Sequence, residues 1–169
     1  TARDELAASF NYSAYDDAIS VSARFLTETQ DAAMALLKGS LVAPSFTDVA
    51  LNRVRAQVLA GLKSDSKDPD SIVSQRFDAL AFGDHPYGSR AEGTIDSVSA
   101  LTQDQIRAAH LGTLVRDRVY ASAVGDITAE QLTTLLDSLL SDLPQSGRPM
   151  PSKVAYKLDG GTTVVDFDT

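Results

Sequence analysis

Apolar residues keep two different periods along this chain. Over residues 8–13 and 19–26 they roughly alternate with polar ones, and Phe10, Tyr12, Ile19, Val21 and Phe25 are types that favour strands. Asp16 and Asp17 stand between the two runs as a turn signal, so a hairpin is predicted. The period then lengthens. Thr27-Glu-Thr-Gln30 reads as a capping box, and residues 32–41 continue as a helix that Pro44 ends, because proline disfavours helical angles in the residue before it. Thr47 caps a long helix in which Leu51, Val54, Val58 and Leu62 recur at steps of three and four, one apolar stripe with Arg53, Arg55, Gln57 and Lys63 off it.

Asp68-Pro69 pairs an N-cap with a proline at the first helical position, and that helix should run to about Phe82. Residues 83–93 form a loop. Thr102 and Gln105 predict a second capping box, with a helix to about Leu114. Residues 118–124, RVYASAV, read as a strand that Gly125-Asp126 closes, with the aspartate capping the next helix. Leu132, Leu135, Leu136, Leu139 and Leu140 define the apolar stripe of that helix. Residues 144–151 are linker-like, and residues 164–167 read as the first strand of something further on. Mixed strands and long helices argue an α+β layer, a largely antiparallel sheet with helices packed on it. The expected division is a domain over 1–143 and a linker with the first strand of a following domain over 144–169.

Charge narrows the partners. Fifteen Lys and Arg against 23 Asp and Glu leave a net charge of −8, a field that repels nucleic acid and anionic membrane. No apolar run is long enough to span a bilayer. The absence of cysteine excludes disulfides, zinc ribbons, iron–sulfur clusters and thiol nucleophiles.

Candidate chemistry is sparse. His85 and His110 are the only imidazoles, one in a loop and one on a helix, and no His-x-x-x-His or His-x-x-Glu-His spacing occurs. His85, before Pro86-Tyr87-Gly88, is read as loop structure, and His110 as a surface residue or a partner of its helix dipole. Asp16 and Asp17 are adjacent, so on a strand they would point apart, and a solvated turn explains them. Asp65, Asp68 and Asp70 lack the glycine and the closing Glu of a calcium loop. No Gly-x-Ser-x-Gly elbow and no phosphate-binding glycine loop is present. Gly83, Gly88 and Gly93 are expected to allow backbone angles that other residues resist.

The ordered set of segments resembles a known family. FGDHPYGSRAEG over residues 82–93 is followed by Thr94, Val98, LTQDQIRAAH over 101–110 and SAVGDITAEQL over 122–132. Upstream lie Asp17, RFLTETQDAAMALL over 24–37, the Pro44-Ser-Phe46 turn, the long helix and Asp68-Pro69. In this order the chain resembles the pitrilysin/insulinase zinc peptidases, which include mitochondrial processing peptidase and two-subunit bacterial enzymes. The resemblance covers most of the chain. It implies the α+β fold of one metallopeptidase half, with the N-terminal strands and the zinc helix lying outside this stretch.

That resemblance also implies an incomplete metal site. Active members carry His-x-x-Glu-His on a helix upstream of the region matching Thr1, and a third ligand, a Glu, on the long helix before the Asp-Pro. The matching place falls at or beside Gly61 in VLAGLKSDSKDP, and no Glu occurs between Glu28 and Glu92. Asp65 is the nearest carboxylate, one carbon shorter and about a turn away. The expectation is therefore no catalytic residue, no metal ligand and no cofactor in this chain, with zinc only in an active partner half.

The implied role is that of a degenerate half completing a substrate chamber with a catalytic peptidase half, in the same chain or as a separate subunit, around a peptide substrate. Ala8, Ser9, Phe10, Asn11, Tyr12 and Ser13 match the edge strand that pairs with substrate backbone in active halves, while a plain sheet strand remains the alternative there. Two other readings stay open: a fragment of an active zinc endopeptidase without its His-x-x-Glu-His helix, and a structural core subunit of a complex. A sheet short of strands would expose an apolar edge, so self-association is expected. The sequence itself does not locate the protein; the same resemblance implies a periplasmic place for a bacterial parent.

Overall fold

The computed structural model describes residues 2–167. A short helix α1, Ala2–Glu5, precedes the hairpin of β1, Ser9–Ala14, and β2, Ile19–Arg24. Helices α2, Gln30–Val42, α3, Asp48–Asp65, and α4, Pro69–Phe82, come next. After a loop come α5, Ile95–Ala100, α6, Gln103–Thr113, and α7, Ala129–Leu140. The fold is α+β, with an antiparallel pair of strands and helices packed on it. The chain divides into two units, residues 1–46 with 104–148 and residues 47–103 with 149–169. The expected segment 144–169 thus straddles a unit border, and its last two residues lie outside the described ones.

In the first unit the hairpin has a simple register. Ser9 faces Arg24, Asn11 faces Ser22 and Ser13 faces Ser20, while Phe10, Tyr12 and Ala14 face Ala23, Val21 and Ile19. Opposed residues share a face, so one face is apolar and the other polar. The apolar face meets the helices. Phe10 and Val21 pack against a core of Leu37, Leu41 and Leu139, joined by Met34, Leu114, Leu136 and Leu140. Ala33, Leu37 and Leu41 are the buried positions of α2, each four residues from the last, which is one helical stripe. Tyr12 spans from the same face to the helix, its hydroxyl hydrogen-bonded to Ser40 Oγ. Lys38 and Asp142, 2.8 Å apart, tie α2 to the end of α7.

Several local expectations are corrected here. Thr27-Glu-Thr-Gln30 makes a 3-10 turn over Thr27–Thr29 and no capping box. Thr29 instead gives its hydroxyl to the Leu6 carbonyl at 2.9 Å, a bond that anchors the segment before the hairpin. The cap of α7 is Thr128, paired with Gln131 in a reciprocal box, and not Asp126. The run RVYASAV is not a strand. A 3-10 turn covers Arg116–Arg118, and the residues after it belong to no sheet among the described ones. Its residue types favour strands, but a strand exists only where a second strand pairs with its backbone, and the sheet among the described residues consists of β1 and β2. Tyr120 and Val124 are accordingly 99% and 102% exposed. Residues 164–167 likewise form no strand among the described residues.

In the second unit the capping expectations at Thr47 and Asp68 hold. Thr47 accepts the Ala50 N–H at 3.3 Å, and Asp68 accepts the Ser71 N–H at 3.0 Å and its hydroxyl at 2.7 Å. The stripe on α3 is less buried than its period suggests. Leu62 is buried but Val54 is exposed. The helix α5, opened by a Thr94–Ser97 box, was not anticipated. It docks through Arg55 of α3, whose Nε donates to the Val98 carbonyl at 3.2 Å and whose Nη2 donates to that of Leu101.

Candidate functional site

Gly61 lies on the exposed side of α3, and nothing comes within 4 Å of where its Cβ would be. The position that the family resemblance assigns to a carboxylate is thus open space beside a bare backbone. Asp65, one turn on, is committed elsewhere: its Oδ2 forms an ion pair with Arg90 Nη2. Arg90 is half-buried in the loop after α4, so this pair fastens the end of α3 to that loop. A guanidinium on the carboxylate opposes metal binding at the same oxygens.

The loop itself explains His85. Its Nδ1 accepts the Tyr87 N–H at 3.2 Å, and its Nε2 lies 3.0 Å from the Ser152 carbonyl. Both bonds together require the neutral tautomer with hydrogen on Nε2. The ring stacks edge-on to Tyr87 with centroids 4.7 Å apart, and Tyr87 stacks edge-on to Phe82 at 5.6 Å. Gly83 turns the chain out of α4 at φ 58°, in the left-handed region. Gly88 is required for another reason than the expected one. A Cβ there would stand 2.2 Å from the Gly83 carbonyl oxygen, so closeness and not angle excludes a side chain. His-Pro-Tyr-Gly is a knot holding the loop shut.

His110 differs from its reading as a surface residue. Its ring lies edge-on to Phe46 at 5.6 Å, and its Nε2 is buried without a hydrogen-bond partner. A lone orphaned nitrogen is not a metal site, and no group of three or more His, Asp or Glu that could hold a metal ion occurs among the described residues. The residues present do not fit a catalytic zinc.

The six residues matched to a substrate strand, Ala8, Ser9, Phe10, Asn11, Tyr12 and Ser13, fall together. Ser9 to Ser13 lie in β1 and Ala8 directly before it, buried, with its N–H on the Arg3 carbonyl at 3.0 Å. Tyr15 N–H bonds the Ala18 carbonyl at 2.8 Å, which makes that opposed pair a hydrogen-bonded one. By alternation Ser9, Asn11 and Ser13 exchange bonds with β2, and the backbone groups of Phe10, Tyr12 and Ala14 point to the outer edge. No described strand lies on that edge. Arg55, Arg90 and the polar face of the hairpin escaped the sequence reading. Only the last left a signal, the strict alternation in Ser9–Ala14 and Ile19–Arg24.

No protein-family model matches the chain. It is similar to the "Non-peptidase homolog YmxG" of Helicobacter pylori, 27% identical over 84% of this chain and 33% of that protein. An "Uncharacterized zinc protease" of Mycobacterium tuberculosis is 31% identical over 63% of this chain and 25% of its own length. Among solved structures, a peptidase M16 inactive domain from Pseudomonas fluorescens superposes with TM-score 0.84 and 24% identity over 90% of this chain and 38% of that one. Its relatives thus include proteins named zinc proteases, and its fold is that of the matching part of a peptidase M16 inactive domain. The chain spans a third or less of the length of these two curated relatives.

Proposed function

We propose that this chain is a non-catalytic domain of a pitrilysin/insulinase-type zinc endopeptidase, one that completes the substrate chamber with an active half. The observation that carries the reading is the pairing of Gly61 with Asp65. Where the metal's third ligand belongs, the helix has no side chain, and the nearest carboxylate is held by Arg90. The non-peptidase name of the Helicobacter relative and the inactive-domain title of the Pseudomonas structure support the same reading.

In this role the chain contributes surface and not chemistry. Zinc belongs to the active half, and the outer edge of β1, with the backbone groups of Phe10, Tyr12 and Ala14, is where a peptide could add as a further strand.

Zinc titration monitored by calorimetry tests the assignment. No stoichiometric high-affinity site is expected, and one ion bound per chain in a tetrahedral protein shell would end it. Affinity capture of the full-length protein should retrieve a peptidase half that does bind zinc. Retrieval of a stable complex without any zinc peptidase would favour a purely structural core subunit instead.

A further inference from the structure

The two faces of the hairpin differ in chemistry, and the outward one points to a ligand class. Ser9, Asn11, Ser13, Ser20, Ser22 and Arg24 form that face, and all six are exposed. It carries no aliphatic side chain, so apolar burial does not drive binding to it. Short hydroxyls and a carboxamide both donate and accept, and they leave room for an extended backbone laid over them.

Charge gives this face a direction. Arg24 sits at the open end opposite Ser9, whereas Asp16 and Asp17 occupy the turn. Six strand residues at about 3.3 Å each separate the two ends by roughly 20 Å. That exceeds the ~8 Å screening length at physiological salt, so each end acts on its own neighbour. An acidic side chain is attracted at one end and repelled at the other. The whole chain has net charge −8, which makes a cation on an otherwise uncharged face the local exception. A guanidinium is also the side chain whose planar fork matches a carboxylate.

We infer that this face takes an extended peptide bearing an acidic side chain at Arg24, which gives the chamber wall a preference for acidic residues and a fixed direction of binding. The inference rests on the chamber reading above. The contact is exposed, so its effect is a few-fold in affinity and is screened by salt.

The test uses the full chain and pairs of fluorescein-labelled, Ser/Thr-rich extended peptides that differ only in one Glu or Gln. Fluorescence anisotropy at low salt should give about three-fold tighter binding of the Glu peptide. The preference should vanish at high salt and in Arg24→Gln, whose circular dichroism should match the parent. If both peptides bind equally, or if Arg24→Gln keeps the preference, the Arg24 assignment is wrong while the chamber reading stands. If neither peptide binds, the inference about this face is wrong, and the chamber reading is judged by the zinc titration and the affinity capture.

Discussion

Replacing Gly61 with alanine should stabilise the protein, and the size of the effect comes from the structure. Gly61 lies inside α3, Asp48–Asp65, with an ordinary helical φ and with nothing within 4 Å of an added Cβ. A methyl group there gains no contact and meets no clash. What remains is the backbone term: glycine in a helix interior costs about 0.8–1.0 kcal/mol relative to alanine, because the unfolded chain loses more freedom on ordering. For a chain of this size, about 1 kcal/mol moves the melting temperature by roughly 2–4 °C. In urea it moves the midpoint by about 0.3–1 M, given a slope of ~1–3 kcal/mol/M. Because the chain divides into two units, the transition that includes α3 is the one to monitor.

Gly39→Ala, in α2 and equally unobstructed, should behave the same way. Gly88→Ala should do the opposite, since its Cβ would fall 2.2 Å from a backbone oxygen. An unchanged or lowered midpoint in Gly61→Ala would refute the claim that position 61 is unobstructed, unconstrained helix surface. Gly61→Glu sharpens the point. It restores the carboxylate that the resemblance assigns to this place, yet zinc should still not bind, because no histidine pair exists to share it.

Other outcomes are expected. Asp65→Asn and Arg90→Gln should each destabilise the loop, with a coupling of about 1 kcal/mol in a double-mutant cycle, as both side chains are partly exposed; zero coupling would make the pair incidental. Asp68 has its pKa lowered by the Ser71 hydroxyl and N–H, Glu130 by its own backbone N–H and the Thr128 hydroxyl, and Asp142 by bonds to Lys38 and Ser141. Depressed carboxylates stabilise above their ordinary pKa and lose that contribution as pH falls through the folded values. Urea midpoints should therefore be flat from these groups down to about pH 5 and drop below about pH 4, and Asp68→Asn should make the acid limb shallower. Tyr120→Lys and Val124→Lys should weaken any concentration-dependent self-association seen by sedimentation, because both side chains are fully exposed on an extended, unpaired segment. Loss of self-association in neither variant would move the contact elsewhere.

Local order in this chain was written in local signals. Thr47 and Asp68-Pro69 announce two helices, the leucines of α7 announce its buried stripe, and the alternation around Asp16-Asp17 announces the hairpin, because caps, turns and periodicity act within a few residues. The family resemblance was also legible, as was the lack of any Glu between Glu28 and Glu92 in whatever register Asp68-Pro69 sets.

Tertiary structure alone decided what depends on distant partners. RVYASAV has the composition of a strand and is not one among the described residues, because a ladder needs a second backbone that no local preference supplies. Thr29 left its expected capping box for a carbonyl 23 residues away. Asp65 became unavailable only once Arg90, 25 positions on, was brought onto it. Sequence carried the propensities; three-dimensional proximity determined which side chains were already engaged, and so what the site could still bind.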